Sequence, residues 1–244
     1  MTSVSTWLFD VDGTLTPSRA SMRADFRDWF LRFTRANTVC LVTGSDYGKT
    51  VEQVGPEILA AVHMSFNCMG NSIWRAGVEV AHAPFGLPAE VETHLLTALA
   101  TSPYPVRTGL HIERRRGMVN FSVVGRNAVH DQRRAYYEWD LRHNERRALS
   151  QALENAFPGL SCQIAGETGL DIFPRGRDKS QVLERVQGPV RFFGDRMDVG
   201  GNDHSLAAAI ERAGDGSRAH PVRDFEHTWE LLRDYEHQGL LSLA

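Results

Sequence analysis

Lysine is almost missing from this chain: Lys49 and Lys179 stand against 25 arginines in 244 residues. Where either cation would serve, the chain has used arginine, so a retained lysine marks a place that wants a compact, flexible ammonium. Cysteine is scarce as well. Cys40, Cys68 and Cys162 are widely spaced, with no C-x-x-C pair and no neighbouring histidine at ligand spacing, so neither a disulfide framework nor a zinc site is indicated. No apolar run approaches the roughly 18 residues of a membrane span. The residues before Asp10 hold neither a basic region nor an apolar stretch of signal-peptide length, so a cytoplasmic location and no membrane partner are expected. There is no internal repeat or low-complexity tract, and no excess of one charge: the formal net charge is −3, which argues against nucleic acid as a partner of the whole protein. What remains is globular composition, 42% hydrophobic and 23% charged, in a chain long enough for one large or two modest domains.

Trp7-Leu8-Phe9-Asp10-Val11-Asp12-Gly13-Thr14-Leu15-Thr16 is the stretch around which the chain is best organised. An apolar, strand-length run ends at an acid, and a second acid follows two residues later before a Gly-Thr turn. This is the layout of a strand that delivers two carboxylates to the carboxyl edge of a sheet, where open α/β sheets bind ligands. An exposed pair of like charges stabilises nothing by itself, although acids followed by glycine are also ordinary turn chemistry. Three later stretches repeat the theme: Leu41-Val42-Thr43-Gly44-Ser45-Asp46, then Asp178-Lys179, then Phe192-Phe193-Gly194-Asp195 running on to Gly200-Gly201-Asn202-Asp203. In kind and order these four stretches resemble the haloacid dehalogenase superfamily of phosphoryl-transfer enzymes.

Taken in order, residues 4–9 read as a strand, and a helix from about Ser21 carries Phe26, Trp29, Phe30 and Phe33 at amphipathic spacing before Asn37. Thr38 to Val42 is a strand, and Thr43-Gly44-Ser45-Asp46 opens a helix where hydroxyls and N–H groups would suit a phosphate; Ser45 or Asp46 would serve equally as helix caps. Ala83-Pro84-Phe85-Gly86-Leu87-Pro88 has the breakers of a linker. Beyond it come a helix at 89–100, a hairpin across Arg115-Arg116-Gly117, a helix at 141–157 and a second hairpin across Gly166-Glu167-Thr168-Gly169. Two hairpins and two helices describe an α+β module inserted into an α/β core. The expected fold is therefore a Rossmann-like core with a parallel sheet and helices on both faces, residues 1–82 and 177–244, and a cap at 83–176. Between Arg107 and Arg147 ten arginines outnumber five acids, a local excess that suits an anionic ligand.

Phosphoryl transfer asks of a protein an in-line nucleophile, a cation for the phosphate charge and a placed acid–base group. Asp10 is the candidate nucleophile, Asp12 the proton shuttle, and Lys179 the cation that offsets carboxylates and phosphate. Asp195 would join Asp10 in holding magnesium, with Asn202 and Asp203 supporting it, although Asn202-Asp203 also reads as a simple turn.

A closer resemblance, running nearly end to end, is to the phosphomannomutases of that superfamily, which carry an α/β cap. It rests on Phe9 to Thr16, Gly44-Ser45-Asp46, Gly117-Met118-Val119-Asn120, Gly125-Arg126, Tyr137-Glu138, Asp171-Ile172-Phe173-Pro174 and Gly200-Gly201-Asn202-Asp203-His204. The resemblance implies interconversion of mannose 6-phosphate and mannose 1-phosphate, with Mg2+, a hexose 1,6-bisphosphate activator and a homodimer formed through the cap. It implies that Arg115, Arg126 and Arg133 clamp the distal phosphate with Arg19 from the core, that Ser45 binds substrate, that Asn120 and Asp171 meet sugar hydroxyls, and that Asp10, Asp12, Asp195, Asn202 and Asp203 form the metal site. Arg114, Arg116, Arg134, Arg146 and Arg147 are expected to be solvated surface charges. Gly169 stands where the family has a phosphate-contacting serine, Arg177 replaces a tryptophan, Met69 an asparagine and Thr43 a glycine. A sugar-phosphate phosphatase of the same superfamily would need the same core residues, and a non-enzymatic sugar-phosphate sensor would leave them without a use.

Overall fold

The computed structural model describes residues 5–18 and 20–244, so Arg19 lies outside the described residues. The chain divides into two compact units, Met1–His82 with Asp178–Ala244, and Ala83–Arg177. The elements of the first part are β1 (Thr6–Phe9), α1 (Ala24–Ala36), β2 (Val39–Val42), α2 (Tyr47–Val54), α3 (Pro56–Ala61), β3 (Met64–Asn67), β4 (Ser72–Arg75) and β5 (Val78–His82). The inserted unit contains α4 (Ala89–Thr101), β6 (Ile112–Arg115), β7 (Met118–Phe121), α5 (His130–His143), α6 (Glu145–Ala156), β8 (Leu160–Ala165) and β9 (Gly169–Pro174). The chain then returns through a 3-10 turn at Lys179–Glu184 to β10 (Val190–Gly194), α7 (His204–Ala213), β11 (Arg218–Pro221) and α8 (Phe225–His237). No helix among the described residues is long and apolar enough to cross a membrane.

The first unit is built on a seven-stranded sheet of order β11-β10-β1-β2-β3-β4-β5. Its five strands from β11 to β3 are parallel, and β4 and β5 add an antiparallel edge. β1 is central and apolar on both sides, as a parallel strand covered by helices must be. Trp7 and Phe9 face a cluster with Phe26, Trp29, Phe30 and Phe33 of α1, while Leu8 turns to the other face with Cys40, Phe66, Phe192, Leu206 and Ile210. Phe9 pairs in register with Phe193 of β10 and with Leu41 of β2. The three strands therefore end side by side, and Asp10, Asp195 and Thr43 emerge along one sheet edge.

In the inserted unit a four-stranded antiparallel sheet, β6-β7-β9-β8, packs with its helices around Val91, Leu95, Phe121, Tyr136, Leu153 and Ile172. The helix expected over 141–157 begins only at Glu145, as α6, and α5 before it adds a third helix to the two expected in this unit. Asn144 sits in the left-handed region (φ 54), which asparagine tolerates, and ends α5 with its N–H on Asp140 O at 2.7 Å. The Asp140 carboxylate then accepts from the Arg146 N–H (2.8 Å) and from Arg146 Nε (2.7 Å), so it both supports the start of α6 and pairs a buried guanidinium. Arg146 is accordingly not a solvated charge: it is 4% exposed and also donates to Gly166 O at 2.8 Å. Arg114, Arg116, Arg134 and Arg147 are exposed.

Candidate functional site

Asp10 follows directly on β1 and is only 2% exposed, so the expectation of an exposed carboxylate pair fails for this member. A carboxylate is tolerated there because a cation is delivered to it. Lys179, fully buried at the start of the 3-10 turn, places Nζ 2.5 Å from Asp10 Oδ1 and 2.6 Å from Asp203 Oδ1. The retained lysine thus joins the acid that follows β1 to the acid at the start of α7, 193 residues further along the sequence. Asp203, also fully buried, accepts the Arg196 N–H at 3.1 Å through Oδ2, so it is not a solvated turn residue. Asp195 follows the end of β10, and its Oδ1 is buried without a hydrogen-bond partner. Asn202 Oδ1 is buried and unpartnered in the same way.

Oxygen atoms of Asp10, Asp195 and Asp203 lie within 4.8 Å of one another. Such a set of carboxylate oxygens, with an orphaned one among them, fits a hard divalent cation better than it fits burial alone. Glycine makes the crowding feasible. A Cβ on Gly13, whose φ is +82, would fall 2.4 Å from Asp195 Oδ2, and one on Gly194 would fall 2.6 Å from Asp203 Oδ2. Burial pushes the Asp10 carboxyl well above the usual range, with Lys179 opposing and Asp203 and Asp195 adding to the rise. Asp195 is raised to about 6, by burial first and then by Asp203. For Lys179 burial disfavours the ammonium, but Asp10 and Asp203 outweigh it and hold the group above its ordinary value.

Asp12 is not among the acids whose oxygens gather here. Its Oδ1 accepts from Gln53 Nε2 at 2.9 Å and its Oδ2 from Ser45 Oγ at 3.3 Å. Thr14 Oγ1 lies 3.4 Å from Asp10 Oδ2. The two cap readings separate cleanly: Asp46 caps α2 by accepting the Lys49 N–H at 2.9 Å, leaving the Ser45 hydroxyl directed at Asp12. Thr43 is buried, and its hydroxyl accepts the Ser45 N–H at 3.1 Å. Gln53 was not foreseen. The signal available in the sequence was a polar residue on the buried stripe of α2, where Thr50, Gln53 and Val54 are enclosed together.

Within the inserted unit a second charged cluster forms on β6, β7 and β9. Arg115 is paired with Glu113 on its own strand, with Nε to Oε2 at 2.8 Å, and its Nη1 lies 3.9 Å from Asp171 Oδ1. Arg126 Nε lies 3.2 Å from the same Glu113 oxygen. Asn120 Nδ2 donates to Asp171 Oδ1 at 2.6 Å, while Asn120 Oδ1 is buried without a partner. Arg133, 8% exposed in its side chain, holds Glu167 through Nη2 at 3.0 Å. Burial lowers Arg126 from its usual value and Arg115 adds to this, while burial raises Asp171 against the pull of Arg115. The structure therefore groups Arg115, Asn120, Arg126 and Asp171, with Arg133 paired separately to Glu167. Glu113 and Glu167, which share the arginines, were not anticipated. At Gly169 a Cβ would meet Asn120 Nδ2 at 2.7 Å, so the space of the expected serine is taken by the asparagine amide.

An α/β core whose strand edge gathers buried acids, interrupted by an α+β unit, is the arrangement of haloacid dehalogenase-like proteins. A haloacid dehalogenase-like hydrolase from Bacteroides thetaiotaomicron superposes with a TM-score of 0.61 at 14% identity, covering 95% of this chain and 99% of that one. An IMP-nucleotidase of Plasmodium falciparum superposes at 0.64 with 12% identity, covering 96% and 67%. These likenesses concern the fold alone. Sequence likeness is more particular: the family model described as eukaryotic phosphomannomutase matches residues 26–228. The phosphomannomutase of Saccharomyces cerevisiae is 36% identical over 239 residues, covering 93% of this chain and 92% of its own, and that of Schizosaccharomyces pombe is 33% identical over 214 residues, covering 82% and 83%. The chain belongs to the eukaryotic phosphomannomutase family.

Proposed function

We propose that the chain is a magnesium-dependent phosphohexomutase that interconverts mannose 6-phosphate and mannose 1-phosphate through an aspartyl-phosphate enzyme and a hexose 1,6-bisphosphate. The observation that carries this reading is the buried Asp10–Lys179–Asp203 group with the orphaned Asp195 oxygen beside it. An Asp10 oxygen forms the bond to phosphorus as the bond from phosphorus to the sugar oxygen breaks. Asp12 gives a proton to that departing oxygen, and in the return transfer takes one from the hydroxyl that attacks. Lys179 keeps Asp10 in place and offsets negative charge as the phosphate arrives. Asp10 and Asp195, with Asp203 and Asn202 behind them, would hold the magnesium, which when bound neutralises phosphate charge. Ser45 contributes a hydroxyl beside Asp12.

A bisphosphate carries two dianions, and guanidinium forks suit the second. Arg115, Arg126 and Arg133 supply them in this reading, with Asn120 and Asp171 for sugar hydroxyls. The test is a phosphorus NMR time course with mannose 1-phosphate, magnesium and a catalytic amount of mannose 1,6-bisphosphate. A mutase forms mannose 6-phosphate, releases little inorganic phosphate and speeds up with the bisphosphate. Stoichiometric phosphate release that ignores the bisphosphate would instead identify a sugar-phosphate phosphatase.

A further inference from the structure

The proton-transferring carboxylate proposed above is gripped by a side chain that no motif marks. Gln53, on the last turn of α2, is 2% exposed. Its Nε2 donates to Asp12 Oδ1 at 2.9 Å and to Thr16 Oγ1 at 3.3 Å, and its Oε1 is buried without a partner. A buried amide oxygen left unpaired is costly, and an aliphatic side chain of similar length would avoid that cost. The position is therefore set by what the amide donates. Thr16 closes the turn that carries Asp12, since the Gly13 N–H reaches Thr16 O at 2.9 Å. The main chain of Gln53 is anchored as well, its carbonyl accepting the Met22 N–H at 2.7 Å. One side chain thus ties helix α2 to both the carboxylate and the turn beneath it.

We propose that Gln53 is a positioning residue, which holds the Asp12 carboxyl in the orientation needed to pass a proton to the sugar oxygen. This rests on the reading of Asp12 as the acid–base group. Ser45 Oγ, 3.3 Å from Asp12 Oδ2, restrains the other oxygen, but over a longer contact from a rotatable hydroxyl. Proton transfer in the transition state depends on the placement of the donor, and matters only where the leaving oxygen needs the proton. A sugar alkoxide needs it. A nitrophenolate does not.

The experiment compares phosphoenzyme formation from mannose 1-phosphate and from 4-nitrophenyl phosphate in the wild type, Gln53→Met and Asp12→Asn, with thermal unfolding of each. Gln53→Met removes the donor while keeping the length of the side chain. It should lose about tenfold or more on the sugar phosphate, within the range general acid catalysis supplies, and keep its rate on the aryl ester. Asp12→Asn should show the same selectivity to a greater degree. Proportional loss on both esters by Gln53→Met, or no loss on the sugar phosphate, overturns the role given to Gln53 while leaving that of Asp12 standing. Equal loss on both esters by Asp12→Asn removes the acid–base reading itself, and this proposal with it. Should Gln53→Met not fold, Gln53→Leu, which removes the donor without adding a charge beside Asp12, carries the same comparison.

Discussion

In the core unit Asp10 and Asp203 hold the Lys179 ammonium between them with Asp195 close by, whereas in the inserted unit Arg115, Arg126 and Arg133 face three acids, Glu113, Asp171 and Glu167. Among the described residues the first cluster has more acids than bonded cations and keeps an acceptor oxygen without a partner, while the second is balanced. A cation entering the core would relieve repulsion that already exists. An anion reaching the arginines must instead compete with resident carboxylates, which lowers its affinity but fixes the guanidinium planes beforehand.

The largest expected effect comes from removing the proposed nucleophile of the core. Asp10→Asn should lower mannose 1-phosphate turnover by about 10³-fold or more and abolish a trappable phosphoenzyme. Its fold should persist, because the amide oxygen still accepts from Lys179; near-normal turnover would remove Asp10 from the chemistry.

Next in size is the ion pair that the arginine-rich unit keeps for its own structure. Arg146→Ala strands Asp140 in the interior and should cost about 3–5 kcal/mol in denaturant unfolding. A loss below about 1 kcal/mol, the level of exposed pairs, would mean that the pair is not buried in solution.

A smaller effect, and of opposite sign, is expected at Asp195 in the absence of metal. Its carboxyl is raised to about 6 in the folded protein, above the usual aspartate range, so folding favours the protonated form. The resulting penalty is absent below the unfolded pKa and develops as pH rises through about 6. In chelator, Asp195→Asn should therefore be more stable than the wild type at pH 8, by on the order of 1 kcal/mol, and equal to it near pH 4. Thermal unfolding across that range checks the sign.

The smallest change is at Gly169. Restoring a serine there should not tighten phosphate binding, because its Cβ would displace Asn120 from Asp171. A modest rise in KM for mannose 1-phosphate is expected, and a fall would show that Asn120 gives way freely.

Much of this was legible in the residues. Each strand that delivers a core acid announces itself as an apolar run ending in Asp, and the scarcity of lysine singled out Lys179. The α+β character of the insert followed from its two hairpins. Other features were hidden for physical reasons. Asp10 could not be recognised as buried until Lys179, 169 positions away, was seen to bond it. Counting charges between Arg107 and Arg147 suggested an excess of arginine, yet Glu167 and Asp171 enter from the β8–β9 hairpin, outside that stretch. α5 buries two charged residues, Arg133 and Asp140, beside Tyr136 and so carries no clear apolar stripe, and β5 is a half-exposed edge strand with no apolar run to declare it.

The division of labour between the two clusters is tested most directly by the partition of mannose 1-phosphate between isomerisation and hydrolysis in Arg126→Ala. The wild type should yield mannose 6-phosphate with little inorganic phosphate. The variant should lose isomerisation at least about tenfold more than it loses hydrolysis of 4-nitrophenyl phosphate, since only the sugar bisphosphate has a second phosphate to hold. An unchanged partition, or equal loss of both activities, would contradict that division of labour.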